Sequence, residues 1–280
     1  MTRSSGVKTA GIKLVLWGQA GTYKTTFASK LPNPLFIDPN GGSRYVNVNR
    51  EDVSKWEEVQ GLLNKVEKGE EDCQTIVLDE FTDTQGLLER WYCAKNGKEG
   101  LGDFGHGKGY SGFRGEMGKV LRQLGRLSAA GINIVIITHS IGKTFGNPEG
   151  PDYDKYIPTL DKSIWSNLFG FADAVLYFGN KVYAAENESG KAIGIAGDAK
   201  IFCSGTALFD AKNRFNMPKS IANGHDSVEA LWHYVDGTRA LGEGSLRAQL
   251  KSDHRYKEDM TDDVKVQLYV HTKQETKTGK

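Results

Sequence analysis

Apolar residues in this chain fall into short continuous runs separated by longer amphipathic stretches. Ile12-Lys-Leu-Val-Leu-Trp17, Pro34-Leu-Phe-Ile-Asp38, Thr75-Ile-Val-Leu78, Ile132-Asn-Ile-Val-Ile-Ile-Thr138 and Phe171-Ala-Asp-Ala-Val-Leu-Tyr-Phe178 have the length and composition of strands. Runs that are apolar at successive positions belong to strands covered on both faces, as in a parallel sheet. Between them, Val53 to Lys68 places Trp56, Val59, Leu63 and Val66 at helical spacing, with Gly69 as a stop. Thr26–Leu31 reads as a short helix ended by Pro32, and Thr84–Ala94 as a longer one. Phe113, Met117, Val120, Leu121, Leu124 and Leu127 mark one helix face, and Arg114, Lys119, Arg122 and Arg126 tend to the other. Lys181–Ala196 alternates loosely around Asn187-Glu-Ser-Gly190, a hairpin signal. Asp226–Val235 has a helical stripe; Ser245–Lys251 and Thr261–Val270 read as helices, and His271–Lys280 as disordered. Strands alternating with helices predict an α/β fold. Its sheet is mostly parallel and twisted, with helices on both faces and an antiparallel hairpin edge. The expected divisions are a flexible N-terminus (1–11), one large domain (12–221) and a helical, charged tail (222–280).

Composition narrows this little. The chain has 280 residues, 38% hydrophobic and 25% charged, enough for one sizeable core. No run approaches the ~18 apolar residues of a membrane span, and the first residues lack a signal-peptide core. Three scattered cysteines, Cys73, Cys93 and Cys203, form neither a disulfide framework nor a zinc spacing. A cytoplasmic location is expected. With a net charge of +1, contact with nucleic acid has to come from local patches.

The chemistry concentrates at Gly18-Gln19-Ala20-Gly21-Thr22-Tyr23-Lys24-Thr25, between the first strand and the helix that Thr26 opens. Strand, glycine loop, Lys-Thr and helix is the layout of a phosphate-binding P-loop. Glycines let successive N–H groups turn inward onto phosphate oxygens. Lys24 is expected to reach the terminal phosphates and the Thr25 hydroxyl to ligate Mg2+. Tyr23 stands where the pattern has glycine. An ordinary backbone conformation is expected of it, because a large side chain at positive φ is costly. A loop that binds nucleotide but turns it over slowly fits the same residues.

Thr75-Ile-Val-Leu-Asp79-Glu80 has the form of a Walker B strand. Asp79 is expected to face the Mg2+ and Glu80 to activate water. Ligands gather at the carboxyl ends of strands in such sheets. His139, at the end of the Ile132–Thr138 run, is therefore a candidate γ-phosphate sensor, with a structural histidine as the alternative. Residues 96–118 hold nine glycines among 23 residues, with Lys98, Lys108, Tyr110 and Arg114 interleaved. The next loop, 141–162, carries Lys143 and Phe145. Cations that track phosphates and rings that stack on bases suit single-stranded nucleic acid, whereas a mobile surface loop explains the composition equally. Lys212 and Arg214 share one late turn from which they could reach a neighbouring subunit's phosphates.

These segments resemble the RecA-superfamily ATPases, and among them the small phage RecA-like recombination ATPases of the single-strand-annealing (Sak) type. The resemblance spans roughly residues 10–221. It rests on the P-loop with Leu31–Gly42, on Thr75–Glu80, on Phe113–Glu149 with Phe145-Gly-Asn-Pro-Glu149, and on Lys212-Asn-Arg-Phe215. The last is similar to the KNRF motif of the RadA/Sms branch, where Lys and Arg act in trans. The resemblance implies ATP and Mg2+ as cofactors, single-stranded DNA and a single-strand-binding protein as partners, a homo-oligomeric ring or filament, and the cytoplasm of a bacterial host. Two departures stand out. RecA's catalytic glutamate position is Asn40 here, while Glu80 follows the Walker B aspartate, as in AAA-type ATPases; the other departure is Tyr23. Two other functions remain open: a nucleotide-locked annealing module that does not hydrolyse, and a helicase loader or assembly motor without DNA contact.

Overall fold

The computed structural model describes residues 10–186, 192–243, 250, 253, 255–257, 259–261 and 264–271. The strands are β1 (Lys13–Gly18), β2 (Pro34–Asp38), β3 (Asn49–Asp52), β4 (Thr75–Leu78), β5 (Asn133–Phe145), β6 (Tyr153–Pro158), β7 (Ala174–Glu186), β8 (Ala192–Phe202), β9 (Lys212–Asn213) and β10 (Ser220–Ala222). The helices are α1 (Lys24–Ser29), α2 (Trp56–Lys68), α3 (Phe81–Lys95), α4 (Lys108–Ala129), α5 (Lys162–Phe171) and α6 (Ser227–Glu243). A further helix covers 264–271.

One sheet runs in the order β10-β8-β7-β1-β5-β4-β2-β3, with β6 paired to β5 and β9 to β7. From β7 to β3 the pairings along this path are parallel, whereas β8, β9 and β10 close one edge antiparallel. This is the expected α/β architecture. Its apolar runs split by parity. Val15, Trp17, Ile76, Leu78, Ile134 and Ile136 join one core beneath α2, α3, α4 and α5. Leu14, Leu16, Val77, Val135 and Ile137 join the other, with Phe27 of α1 and Val228, Leu231 and Val235 of α6. Side chains alternate across a strand, so burial of both faces requires the continuous runs seen in the sequence.

Two segments differ from expectation. The glycine-rich stretch after α3 is not an open loop. It contains a 3-10 turn at Leu101–Phe104, and α4 begins at Lys108 rather than near Phe113. A Cβ on Gly109 would lie 2.1 Å from the Leu101 carbonyl oxygen, and one on Gly112 would lie 1.9 Å from the Tyr92 hydroxyl. These glycines admit close packing rather than supply flexibility. The 141–162 stretch is mostly a β5–β6 hairpin, and α5 follows, capped by the Asp161 carboxylate accepting from Ser163 N and Ile164 N. The β7–β8 hairpin forms as expected. Its Asn187–Gly190 turn, 245–249, 251 and 272–280 lie outside the described residues.

Lys212-Asn-Arg-Phe215 divides into two halves. Asn213 is a turn clamp: Nδ2 donates to Cys203 O (3.0 Å), and Oδ1 accepts from Phe215 N and Met217 N. Phe215 is buried in the second core. Phe215→Ala is expected to cost about 3–5 kcal/mol of stability, read from the urea midpoint, because it empties a core site. A midpoint equal to wild type would remove Phe215 from the core.

Candidate nucleotide site

β5 lies between β1 and β4, so the loops that follow β1, β5 and β4 meet at the carboxyl edge of three adjacent strands. Gly18 and His139 are register partners across β1 and β5. Gly18 has φ 148°, and a Cβ there would fall 2.1 Å from the Phe178 carbonyl oxygen. Glycine is required for β1 to end that close to β7. Gln19, Ala20 and Gly21 form the exposed crest of the loop, and Thr22 donates to the Gln19 carbonyl (2.7 Å).

Tyr23 does not have the ordinary conformation expected of it. It adopts φ 64°, ψ 24°, the left-handed region that glycine fills in the usual motif. The loop keeps its path and the residue takes the strain, of the order of 1–2 kcal/mol for a non-glycine. Its ring is 63% exposed.

Lys24 is 4% exposed. Its Nζ donates to the carbonyls of Gly18 (3.1 Å) and Gln19 (2.7 Å) and lies 3.4 Å from His139 Nδ1. The lysine is therefore folded back over its own loop. Burial lowers the ammonium to about 8, with Asp79 and Glu80 opposing. Thr25 Oγ1 donates to Asp79 Oδ2 (2.7 Å). Burial pushes the Asp79 carboxyl up, and the Thr25 hydrogen bond, Lys24 and His139 pull it down while Asp38 adds to the rise. A hydroxyl oxygen touching a carboxylate oxygen below a phosphate loop fits Mg2+, which binds through one or two protein oxygens and keeps the rest of its shell for water and phosphate. No cluster of three or more His, Cys, Asp or Glu ligands exists among the described residues.

Glu80 lies deeper. Its Oε1 accepts from Thr82 Oγ1 (2.7 Å), His139 N (3.2 Å) and Thr138 Oγ1 (3.3 Å). Thr82 Oγ1 also lies 3.0 Å from Thr159 Oγ1, at the root of the β5–β6 hairpin. Oε2 points to His139 Nε2 at 3.8 Å. His139 thus stands between Lys24 and Glu80. An Nδ1 that accepts from the Lys24 ammonium requires the tautomer with the proton on Nε2, toward the carboxylate. Asn40 lines the same cavity, of about 330 Å3, and its amide donates to Asp83 (2.7 Å). The sequence reading missed Thr82, Thr138 and Thr159. A hydroxyl two residues past the acidic pair and one ending the next strand were the available signals.

The remaining sequence candidates separate. Thr26 is exposed at the cavity rim. Lys143 and Phe145 project on the hairpin beyond the sheet edge. Register partners Ile141 and Ile157, Lys143 and Lys155, and Phe145 and Tyr153 place apolar, cationic and aromatic pairs in sequence along one hairpin face. Phe145 stacks on Tyr153 (6.3 Å), and Lys155 is tied to Asp210 (2.7 Å). Arg114, exposed on α4, lies close enough to act on Asp161 at the hairpin's foot. Lys108 and Tyr110 occupy the exposed first turn of α4, and Lys98 lies in the turn after α3.

Lys212 and Arg214 are elsewhere. Asn213 pairs with Ala174, which pairs with Leu14, so this turn sits at the amino end of β1. The carboxyl end of β1 is about 13–16 Å away along the strand. Arg214 binds Asp173 (3.2 Å), and Lys212 Nζ stands 4.9 Å from the Phe169 ring centroid.

A family model described as an AAA domain matches residues 10–215. No curated protein matches the chain. Among solved structures, the crystal structure of flagellar accessory protein FlaH from Methanocaldococcus jannaschii is similar at 11% identity and a TM-score of 0.40, covering 76% of this chain and 84% of that one. No helix among the described residues is long and apolar enough to cross a membrane. The family match takes in well over half of the 280 residues and the whole of the P-loop, Asp79–Glu80 and His139 constellation, and the chain belongs to the AAA-domain family of P-loop ATPases.

Proposed function

We propose that the protein is a Mg2+-dependent ATPase that acts on single-stranded DNA in phage-type recombination, annealing or replication, as a ring or filament. One observation carries the ATPase reading: Lys24, the Thr25–Asp79 pair and Glu80 converge on one cavity from three adjacent strands. Bound Mg2+ supplies charge neutralisation of the phosphates. Lys24 exchanges its carbonyl partners for phosphate oxygens, and Thr25 and Asp79 supply metal-facing oxygens. Glu80 takes the proton of the attacking water through Oε2, the oxygen not held by three donors. His139 responds to the γ-phosphate in this reading, which its nearness to both Lys24 and Glu80 supports. Steady-state ATP hydrolysis with and without single-stranded DNA, for wild type and Lys24→Ala, tests this. Loss in Lys24→Ala and stimulation by DNA are expected; an inert wild type sinks the ATPase reading.

The hairpin face with Lys143, Lys155, Phe145 and Tyr153 supports the DNA part. Each phosphate contact to single-stranded DNA adds about −0.7 to the slope of log affinity against log salt. Lys143→Ala is expected to flatten that slope by about this much. Binding that ignores salt favours the protein-partner reading, a loader or assembly motor.

Lys24 gives a pH prediction. Between about pH 8 and its ordinary value of 10.5, the unfolded chain binds more protons than the folded one. The contribution of Lys24 to stability therefore rises with pH through that window. Nucleotide binding runs the other way, because phosphate favours the ammonium. ATP affinity should be flat below about pH 8 and fall above it, by up to about tenfold per pH unit, with proton uptake on binding. Calorimetry in buffers of different ionisation enthalpy reads both; a flat profile to pH 9.5 removes Lys24 from phosphate contact.

A further inference from the structure

A second cavity, also about 330 Å3, adjoins the phosphate cavity. It is lined by Tyr23, Thr26, Phe27, Lys30, Asn223 and Ser227, and Tyr23 and Thr26 belong to both walls. Its far side is the turn between β10 and α6, which the sequence leaves without a role. That turn is pinned to the P-loop. Asn223 Nδ2 donates to the Thr22 carbonyl (2.9 Å), Asn223 N to Ala199 O (3.1 Å), and Lys30 Nζ to His225 O (3.1 Å).

Accounting for polar groups on this wall leaves a specific pattern. The Ser227 hydroxyl donates to Gly224 O (2.9 Å), and one of the three Lys30 N–H groups donates to His225 O. The Thr22 carbonyl can only accept, so it fixes the Asn223 amide with Nδ2 toward the loop. Asn223 Oδ1 remains, an acceptor with no partner among the described residues. The exposed Tyr23 ring, carried by a residue in the left-handed backbone region, lines the same cavity. A flat aromatic wall and one acceptor, in a volume within the small-molecule range, suit a planar heterocycle with an exocyclic N–H donor.

We propose that this cavity is the base subsite of the nucleotide, with Tyr23 stacking on a purine and Asn223 Oδ1 accepting from its 6-amino group. The assignment rests on the nucleotide reading above and adds the base. Adenine presents a donor to Asn223. Guanine and hypoxanthine present a carbonyl there, acceptor against acceptor, and a site built for one hydrogen-bonding pattern rejects the other. Tyr23 replaces the motif's glycine because its ring forms this wall.

Equilibrium binding of ATP, GTP, ITP and inorganic tripolyphosphate to the full chain tests the proposal, with thermal unfolding confirming that each variant is folded. Wild type should bind ATP at least about tenfold more tightly than GTP or ITP. Asn223→Ala should bring the ATP-to-ITP ratio within about threefold. Tyr23→Gly, which relieves the backbone and deletes the ring, should lower the ratio of ATP to tripolyphosphate affinity about tenfold, the scale of one base–aromatic stack. Tripolyphosphate binding with no preference among bases, and ratios unmoved in both variants, overturns the base subsite and leaves the phosphate site standing. Failure to bind tripolyphosphate or any nucleotide overturns the nucleotide reading itself, and the subsite with it.

Discussion

Glu80→Gln is expected to keep ATP bound while lowering turnover about 10²–10⁴-fold, the range of a lost general base. Glutamine has the shape of glutamate and retains an oxygen that can accept from Thr82, Thr138 and His139 N. The hydroxyl cluster therefore stays satisfied and the fold is preserved. What disappears is the proton acceptor at Oε2, beside His139. Single-turnover hydrolysis and nucleotide binding, measured on the same preparation, separate the two effects. Equal loss of binding and turnover would place Glu80 among the groups that hold nucleotide rather than those that activate water. If single-strand annealing persists at the wild-type rate in Glu80→Gln, hydrolysis is dispensable and the nucleotide-locked module becomes the better reading. The threonines sharpen the test. Thr82 links Glu80 to Thr159 at the hairpin root, so a ligand that moves the hairpin has a path of hydrogen bonds to the carboxylate.

The central strands were legible because burial on both faces writes continuous apolar runs, and Asp79 and Glu80 were legible because they end one of them. β3, Asn-Arg-Glu-Asp, was not: it is a polar edge strand held only by pairing with β2. α5 was hidden by the apolar character of Ile164–Phe171, which merges with the following strand. Its start was marked by Asp161, two residues before Ser163. The glycine-rich segment misled because each helical glycine costs about 1 kcal/mol relative to alanine. That penalty is local, and the packing of Gly109 and Gly112 against Leu101 and Tyr92 is tertiary. Tyr23 misled for the same kind of reason. The steric rule gives a cost, and a loop whose path is set by Gly18, Lys24 and the strand ends can impose it. The turn at Asn223 could not be found from spacing at all, because it meets Thr22 from 201 positions away.

Arg214→Ala is expected to lower ATP turnover by about 10³-fold or more if the residue acts as an arginine finger, and to leave the stability of the protomer nearly unchanged. The fold separates Arg214 from the P-loop of its own chain, so the proposal requires action across a subunit border. Within one chain Arg214 lies near the amino end of β1, whereas the P-loop leaves its carboxyl end. Its contact there is the half-exposed pair with Asp173, which also binds Lys13 at 3.3 Å. An exposed pair of this kind contributes at most about 1 kcal/mol, so its exchange for a neighbour's phosphate costs little. Lys212 is less free. Burial first, then Arg214 and Lys13, lower its ammonium, with Asp173 opposing, and a facing phosphate would oppose that lowering. Mixing Arg214→Ala with Lys24→Ala, each inactive alone, should regain activity. In mixed assemblies an intact P-loop on one protomer can meet an intact Arg214 on the next. An Arg214→Ala protein with wild-type turnover would end the finger assignment. An inactive mixture, from proteins shown to co-assemble, would end action in trans. Phe215→Ala separates the neighbouring effect: loss there should track unfolding, and loss at Arg214 should not.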